Sequence, residues 1–485
     1  MSPNVSGLGL AIDLPAHGSR QMGRDLHQQL RSAIVGGRLQ PGLRLPATRE
    51  LAEALGVSRN TVVAAYDLLL SEGYVFARGR GGTIVSDFLS APPRRDRLRP
   101  QPGRDARLRP AWRAAAPSTP AGAQVGRRFD FSIGVPDWES FPHQVWRRLA
   151  ARALRGAPRI GASYGEPEGR TALRQAIAGH ISFARAIACS AEDVVVTAGA
   201  QQAFDLLARI LVTPGKTTVA VEDPGYESLR NVLAAAGARL ACVPVDSDGL
   251  RVDRLPRNAK VIFVTPSHQY PLGVRLSLAR RTALLDFARA RNAVIVEDDY
   301  DGEFRYAGKP LDALQTLDRA QSVFYVGTFS KSMFPALRLG FVIAPPWARN
   351  ALVAAKQLCD WHAPLVAQDI LSAFIAEGHL ARHVRKMSKI YSERREILKN
   401  ALERSCGDHL RVVGIGAGLH LAAHLTRPTS ASGLIRRARD AGIWLNDWQQ
   451  FAAKARKTEG LVFGYGAIHS RDIPDAVRRL AKVMI

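Results

Sequence analysis

The stretch 327–340, GTFSKSMFPALRLG, follows the apolar run SVFYV and closes it on a lysine, Lys331. SVFYVGTFS (322–330) is one of five buried-strand candidates. The others are VVVTAG (194–199), TVAVED (218–223), KVIFVTP (260–266) and AVIVEDD (293–299). Segments between them, such as AQQAFDLLARIL and LARRTALLDFARARN, carry helical periodicity. Short apolar runs alternating with amphipathic helices predict an α/β fold with a mostly parallel central sheet covered on both faces.

Two of these strands end on groups with chemistry. AVIVEDD runs into Asp298 and Asp299, and SVFYVGTFS runs into Lys331. Open α/β sheets bind ligands at the carboxyl ends of their strands. A lysine there can form a Schiff base with an aldehyde cofactor, while an acid keeps a pyridine nitrogen protonated so that the ring draws electrons. Strand alternation lets only one of Asp298 and Asp299 point at such a ring. Arg338 can pair with a phosphate, Thr328 and Ser330 add hydroxyls, and the helix opening at Ala200 and Gln201 offers free N–H groups to the same anion. Each signal alone is weak, since most lysines are surface residues and acids after strands are often structural.

The first part of the chain has another pattern. Leu26, Leu30 and Ile34 make one apolar helix face, ended by GGRLQPG. ATRELAEALG is a second short helix. Ser58 then stands where an N-cap is wanted for SRNTVVAAYDLLLSEG, whose inner side is Val62, Tyr66 and Leu69. YVFARGRGGTIVS alternates around a glycine-rich turn and reads as a β-hairpin. Together these predict a winged helix-turn-helix over 1–86. Its recognition helix would bring Arg59, Asn60 and Thr61 to base edges or nearby phosphates, with its cap Ser58 among the DNA-binding residues. Arg49 would approach the backbone, and Arg78 and Arg80 on the wing would face phosphate or minor groove.

Composition fits such a partner. The 485 residues carry a formal net charge of +24 and are 46% hydrophobic, enough for two or three domains with large cores. A strongly basic chain suits nucleic acid. The four cysteines are scattered, so neither a zinc site nor a disulfide framework is indicated. No long apolar run and no signal-like N-terminus is visible, so a soluble cytoplasmic protein is expected. Residues 87–128, rich in Arg, Pro and Ala, read as a linker, leaving 129–485 as the α/β part.

The motifs then carry two resemblances. RLPATRELAEALGVSRNTVVAAYDLLLSEGYV closely resembles the GntR family of bacterial repressors. GTFSKSMFPALRLGF resembles the lysine signature of fold-type-I aminotransferases, which depend on pyridoxal 5'-phosphate (PLP). VEDDYDGEFRY, EDPGY and TPSHQYPLG resemble the forms of the cofactor motifs found in the MocR/GabR-type regulators, which fuse both parts. The resemblance implies that Lys331 binds the PLP aldehyde, Asp298 pairs with the pyridine nitrogen, Tyr300 bonds the phenolic oxygen and Tyr226 stacks on the ring. It puts His268 and Gln269 where aminotransferases have an asparagine-containing motif. It makes Tyr164, in SYGEPEGRTALR, a residue reaching a neighbouring subunit's phosphate, hence a homodimer.

The expected function is a PLP-dependent transcriptional regulator that binds double-stranded DNA at two half-sites. It would sense an amine, an amino acid or PLP itself by a population shift. The competing reading is a working aminotransferase with an accessory DNA-binding domain, because Lys331 can also serve as a base. The arginine that would hold an effector anion is open between Arg230, Arg456 and Arg471.

Overall fold

The computed structural model describes residues 12, 14, 22–78, 82–87, 107, 112, 127–156, 163–306, 312–414, 416–426, 430–453 and 459–484. The chain divides into two compact units, Met1–Arg104 and Asp105–Ile485, with the break inside the stretch read as a linker. Most of that stretch lies outside the described residues.

The first unit contains α1 (Met22–Val35), α2 (Thr48–Leu55) and α3 (Arg59–Ser71), followed by strands β1 (Val75–Ala77) and β2 (Thr83–Val85). Leu26, Leu30 and Ile34 of α1 are buried against Val62, Tyr66 and Leu69 of α3, as the apolar spacing requires. Gly56 ends α2 in the left-handed conformation at φ 64°, where its N–H reaches the carbonyls of Ala52 and Glu53. Antiparallel pairing of β1 and β2, with Val75 opposite Val85, makes the wing.

The second unit is built on an eight-stranded sheet. Its strands are β4 (Val194–Thr197), β5 (Thr218–Asp223), β6 (Arg239–Asp246), β7 (Gly249–Leu250), β8 (Ala259–Val264), β9 (Val294–Asp299), β10 (Val323–Thr328) and β11 (Gly340–Ile343). The order is β4-β11-β10-β9-β8-β5-β6-β7. Five central strands, β10, β9, β8, β5 and β6, run parallel. The interruption is β11, antiparallel to both β10 and β4, a strand that the sequence pattern does not mark.

Alternation sends neighbouring residues to opposite faces. Val196, Tyr325 and Phe341 pack with Ile177 and Ile181 of the helix Thr171–Arg185. Val195, Phe324, Val326 and Val342 pack with Phe204 and Leu207 of the helix Ala200–Leu211. Each such buried Phe or Leu contributes about 1.5–3 kcal/mol.

A smaller antiparallel sheet follows, ordered β12-β13-β16-β15. It comprises β12 (Leu410–Val413), β13 (His420–Leu425), β15 (Asn446–Asp447) and β16 (Gly460–Gly464), and it leans on the long helix His379–Cys406. A parallel pair, β3 (Phe129–Asp130) with β14 (Ile443–Trp444), ties the beginning of this unit to its C-terminal part. Among the described residues, no helix is long and apolar enough to cross a membrane.

Candidate functional site

In register, Asp298 lies opposite Val326 and Asp299 opposite Gly327, at the carboxyl ends of β9 and β10. The two carboxylates therefore face different sides. Asp299 Oδ2 pairs with Arg185 Nε at 2.7 Å and accepts from the Tyr325 hydroxyl at 2.6 Å, all buried on one face. Asp298 is buried on the other, with Oδ1 lacking a hydrogen-bond partner. Burial, followed by the nearby Asp299, Glu222 and Asp301, pushes its carboxyl well above the usual range, and Lys331 pulls the other way. Of the two, Asp298 is the one on the face away from Arg185 and interacting with Lys331.

Lys331 stands just beyond β10, where Nζ donates to the Gly134 carbonyl at 2.7 Å. Loss of solvent lowers its pKa, opposed by Asp301 and Asp298. Gly134 adopts φ 75°, and a Cβ there would sit 2.7 Å from Nζ. The left-handed conformation favours glycine, and a side chain there would displace the lysine tip. Nothing in the sequence pattern singles out Gly134.

An anion cradle adjoins the lysine. Gly199, at φ 80°, opens the helix Ala200–Leu211. Arg338, itself left-handed at φ 50°, donates through Nη2 to the Ala198 carbonyl at 2.7 Å. A Cβ on Gly199 would lie 3.0 Å from both terminal guanidinium nitrogens. Thr328 Oγ1 donates to Ser330 Oγ at 3.0 Å and accepts from the Ser330 N–H at 3.2 Å. Gln201 reaches the Ser228 carbonyl at 3.5 Å. Helix N–H groups, hydroxyls and a guanidinium thus converge as phosphate binding requires. A lysine of lowered pKa, an unpaired buried carboxyl and this cradle together fit a phosphorylated pyridine aldehyde.

Aromatic rings complete the surroundings. Tyr226, partly exposed, lies edge-on to Tyr270 at 5.6 Å, and Tyr270 is edge-on to Tyr300 at 5.7 Å. Tyr300 donates to the His268 carbonyl at 2.9 Å. The His268 Nδ1 sits 2.9 Å from Asp301 Oδ2, with the His420 ring 4.6 Å away. Sequence reading misses Tyr270, Asp301 and His420. The last comes from β13, far along the chain, and an isolated histidine gives no local signal. Gln269 is engaged at both ends of its amide: Nε2 donates to the Pro224 carbonyl at 2.8 Å and Oε1 accepts from the Leu272 N–H at 3.1 Å. It braces its own turn.

One expectation changes. Arg230 is buried and its Nη1 donates to the carbonyls of Gly225 and Phe451 at 2.9 and 2.8 Å, so it is a brace between loops and not an open anion site. Arg471 is exposed beside Asp472. Arg456 lies outside the described residues. Tyr164 is 74% exposed, its ring stacked on Trp361 at 4.6 Å.

In the first unit, Ser58 Oγ accepts from the Thr61 N–H at 3.2 Å and so caps α3. Arg59 and Asn60 are exposed on its first turn, Thr61 is half-buried, and Arg59 Nε reaches Thr48 Oγ1 at 3.4 Å. Arg49 is exposed at the start of α2. The Arg78 N–H closes the wing on the Gly82 carbonyl at 3.0 Å, while Arg80 lies outside the described residues. Sequence reading also misses Arg44, a cation whose backbone pairs with Ile84 of the wing.

Comparison with known proteins accounts for both units. Residues 23–85 match the gntR family of bacterial regulatory proteins, and residues 128–462 match aminotransferase class I and II. The probable rhizopine catabolism regulatory protein MocR of Rhizobium meliloti is 35% identical over 484 residues, covering 98% of this chain and 94% of its own. The pyridoxine biosynthesis transcriptional regulator PdxR of Corynebacterium glutamicum is 32% identical, covering 96% of each chain. Among solved structures, the alpha-aminoadipate aminotransferase of Thermus thermophilus, complexed with a phosphopyridoxyl-leucine adduct, is 29% identical. It superposes with a TM-score of 0.68 over 74% of this chain and 92% of that one. Pyridoxal phosphate is the cofactor of the second unit, and DNA is the partner of the first. The chain belongs to the MocR-type transcriptional regulators, in which a GntR-family DNA-binding domain is joined to an aminotransferase class I and II domain.

Proposed function

We propose that this regulator reads the arrival of a primary amine, an amino acid or PLP itself at Lys331 and reports it to a two-half-site operator as a homodimer. The observation that carries the reading is the co-occurrence, on one chain, of a capped α3 with exposed Arg59 and Asn60 and a complete donor set around Lys331. When bound, PLP supplies an aldehyde that condenses with amines and a ring that withdraws electrons.

The chain's own groups do the rest. Lys331, its ammonium form disfavoured by burial, offers the nucleophilic nitrogen. Asp298 would hold a proton at the ring nitrogen, Arg338 with Thr328, Ser330 and the N–H groups of Ala200 and Gln201 would hold the phosphate, and Tyr226 would cover the ring. Tyr300, anchored on His268, would orient the phenolic oxygen. Arg59, Asn60 and Thr61, held by the Ser58 cap, would read bases, with Arg49, Arg78, Arg80 and Arg44 on the backbone.

The exposed Tyr164–Trp361 stack, with Leu358 85% exposed nearby in the chain, supports pairing with a second copy. DNA as partner supports a cytoplasmic location. The intact Lys331 also supports aminotransferase turnover as a second reading. The test is operator binding by the PLP-loaded protein titrated with a panel of amines and amino acids, with Lys331→Ala alongside. A shift in operator affinity that Lys331→Ala abolishes supports sensing. Unchanged regulation by Lys331→Ala would overturn it, and sustained turnover with amino and keto acids would favour the enzyme.

A further inference from the structure

A cavity of about 460 Å³ lies in the Asp105–Ile485 unit between the two sheets, and neither Lys331, Asp298 nor any group of the anion cradle lines it. One wall is the face of the small sheet that carries Arg411, Val413 and His424. Arg411 and His424 are cross-strand partners in the β12–β13 register, so their side chains stand side by side on that face. The buried Trp448 forms the floor, edge-on to the His424 ring at 4.4 Å. The opposite wall comes from the large-sheet side, with Pro224, Val245 and Leu272.

The chemistry of this lining is specific. Its walls combine apolar surface with the polar Asp246, Ser247, Arg411 and His424, and its volume falls in the range of about 300–1,000 Å³ typical of small-molecule sites. Its polar groups are unbalanced. Asp246, at the rim, is already paired with Arg280 at 2.9 Å. Arg411 is exposed and has no ion-pair or hydrogen-bond partner among the described residues. A ligand that buries a compact apolar body on Trp448 and presents an anion to Arg411 satisfies both features.

From this geometry we infer a second small-molecule site, one that takes a small carboxylate with a compact apolar body. It is separate from the amine site at Lys331 and does not depend on the proposed sensing role. The two sites share loops, however: Pro224 precedes Tyr226 by two residues, and Leu272 follows Tyr270 in the loop that carries His268.

The test is calorimetric titration of the full-length PLP-loaded protein with phenylacetate, and with 2-phenylethanol as its uncharged counterpart. Phenylacetate is expected to bind saturably without releasing PLP, and the alcohol at least about tenfold more weakly, as loss of a charge-assisted hydrogen bond predicts. Arg411→Ala should weaken phenylacetate by a similar factor, and Val413→Trp, which fills the cavity, should abolish its binding. Both variants are checked for an unchanged cofactor spectrum and melting temperature. Lys331→Ala should still bind phenylacetate. Binding that is absent, equal for the two probes, unaffected by Arg411→Ala, or lost in Lys331→Ala overturns the assignment.

Discussion

Lys331 Nζ donates a 2.7 Å hydrogen bond to the carbonyl oxygen of Gly134, a residue 197 positions earlier in the chain. The contact holds the amine in place before any ligand arrives, and it depends on Gly134 having no side chain. In Gly134→Ala the new methyl would lie 2.7 Å from Nζ on a backbone at φ 75°. The lysine must swing away. The expected outcome is a folded protein whose PLP affinity drops at least about tenfold, in keeping with a steric cost of roughly 1–3 kcal/mol. Titration with PLP, followed by visible absorbance, measures it.

Replacing the two neighbouring carboxylates should have opposite consequences. Asp299→Ala strands Arg185, whose side chain is only 4% exposed. Breaking a buried pair in this way costs about 3–5 kcal/mol. The melting temperature should fall substantially. Asp298→Ala removes a carboxyl whose Oδ1 has no hydrogen-bond partner and should leave stability nearly unchanged or higher. Its effect should appear instead in the response of the bound cofactor's spectrum to amines. Denaturation curves and amine titrations of both variants would expose a reversed assignment.

Glu222 gives a pH dependence with a definite sign. Burial raises its carboxyl to about 7, although hydrogen bonds from Thr265 and Gln269 favour the charged form. The folded chain therefore binds a proton more tightly than the unfolded chain. Stability from this group is fully present below the unfolded value near 4.5 and is lost as pH rises through about 7. Over that window the loss is on the order of 3 kcal/mol. Glu222→Gln should flatten the slope, so its melting temperature should gain on that of the parent between pH 4.5 and about 7. Parallel slopes for the two proteins would rule out this role.

The start of α3 combines a stability role and a reading role in adjacent residues. Ser58→Ala removes the cap on the Thr61 N–H and should cost about 1 kcal/mol of stability. Arg59→Ala leaves that cap intact. It should lower the preference for operator over unrelated DNA, with about 1–3 kcal/mol lost at one base position. Competition binding at fixed salt separates the two effects.

Much of this arrangement is legible in the sequence because it is local. The five strands, the N-cap Ser58 and the lysine signature each occupy a short contiguous stretch, and all appear where their patterns put them. The reversed strand β11 escapes because GFVI is short and its direction is set by pairing, not by composition. Gly134, Asp301 and His420 escape because their significance lies in contacts made across long separations. Arg230 misleads for a related reason. A cation after EDPGY reads as available until its carbonyl partners at Gly225 and Phe451 are seen. The Asp298–Asp299 choice needs only the β9–β10 register, which alternation has already reduced to two options.

Alternation in β9 also limits how this strand can evolve. Substitutions can tune the Asp298 face without touching the Arg185 face, because the two carboxylates share backbone but no partners. A length change cannot. Inserting or deleting a single residue upstream of Asp298 within the strand would move each acid to the opposite face, changing in the same stroke which carboxyl meets Lys331 and which meets Arg185. New ligand preferences in such a chain are therefore reached through side-chain exchange around a strand of fixed length.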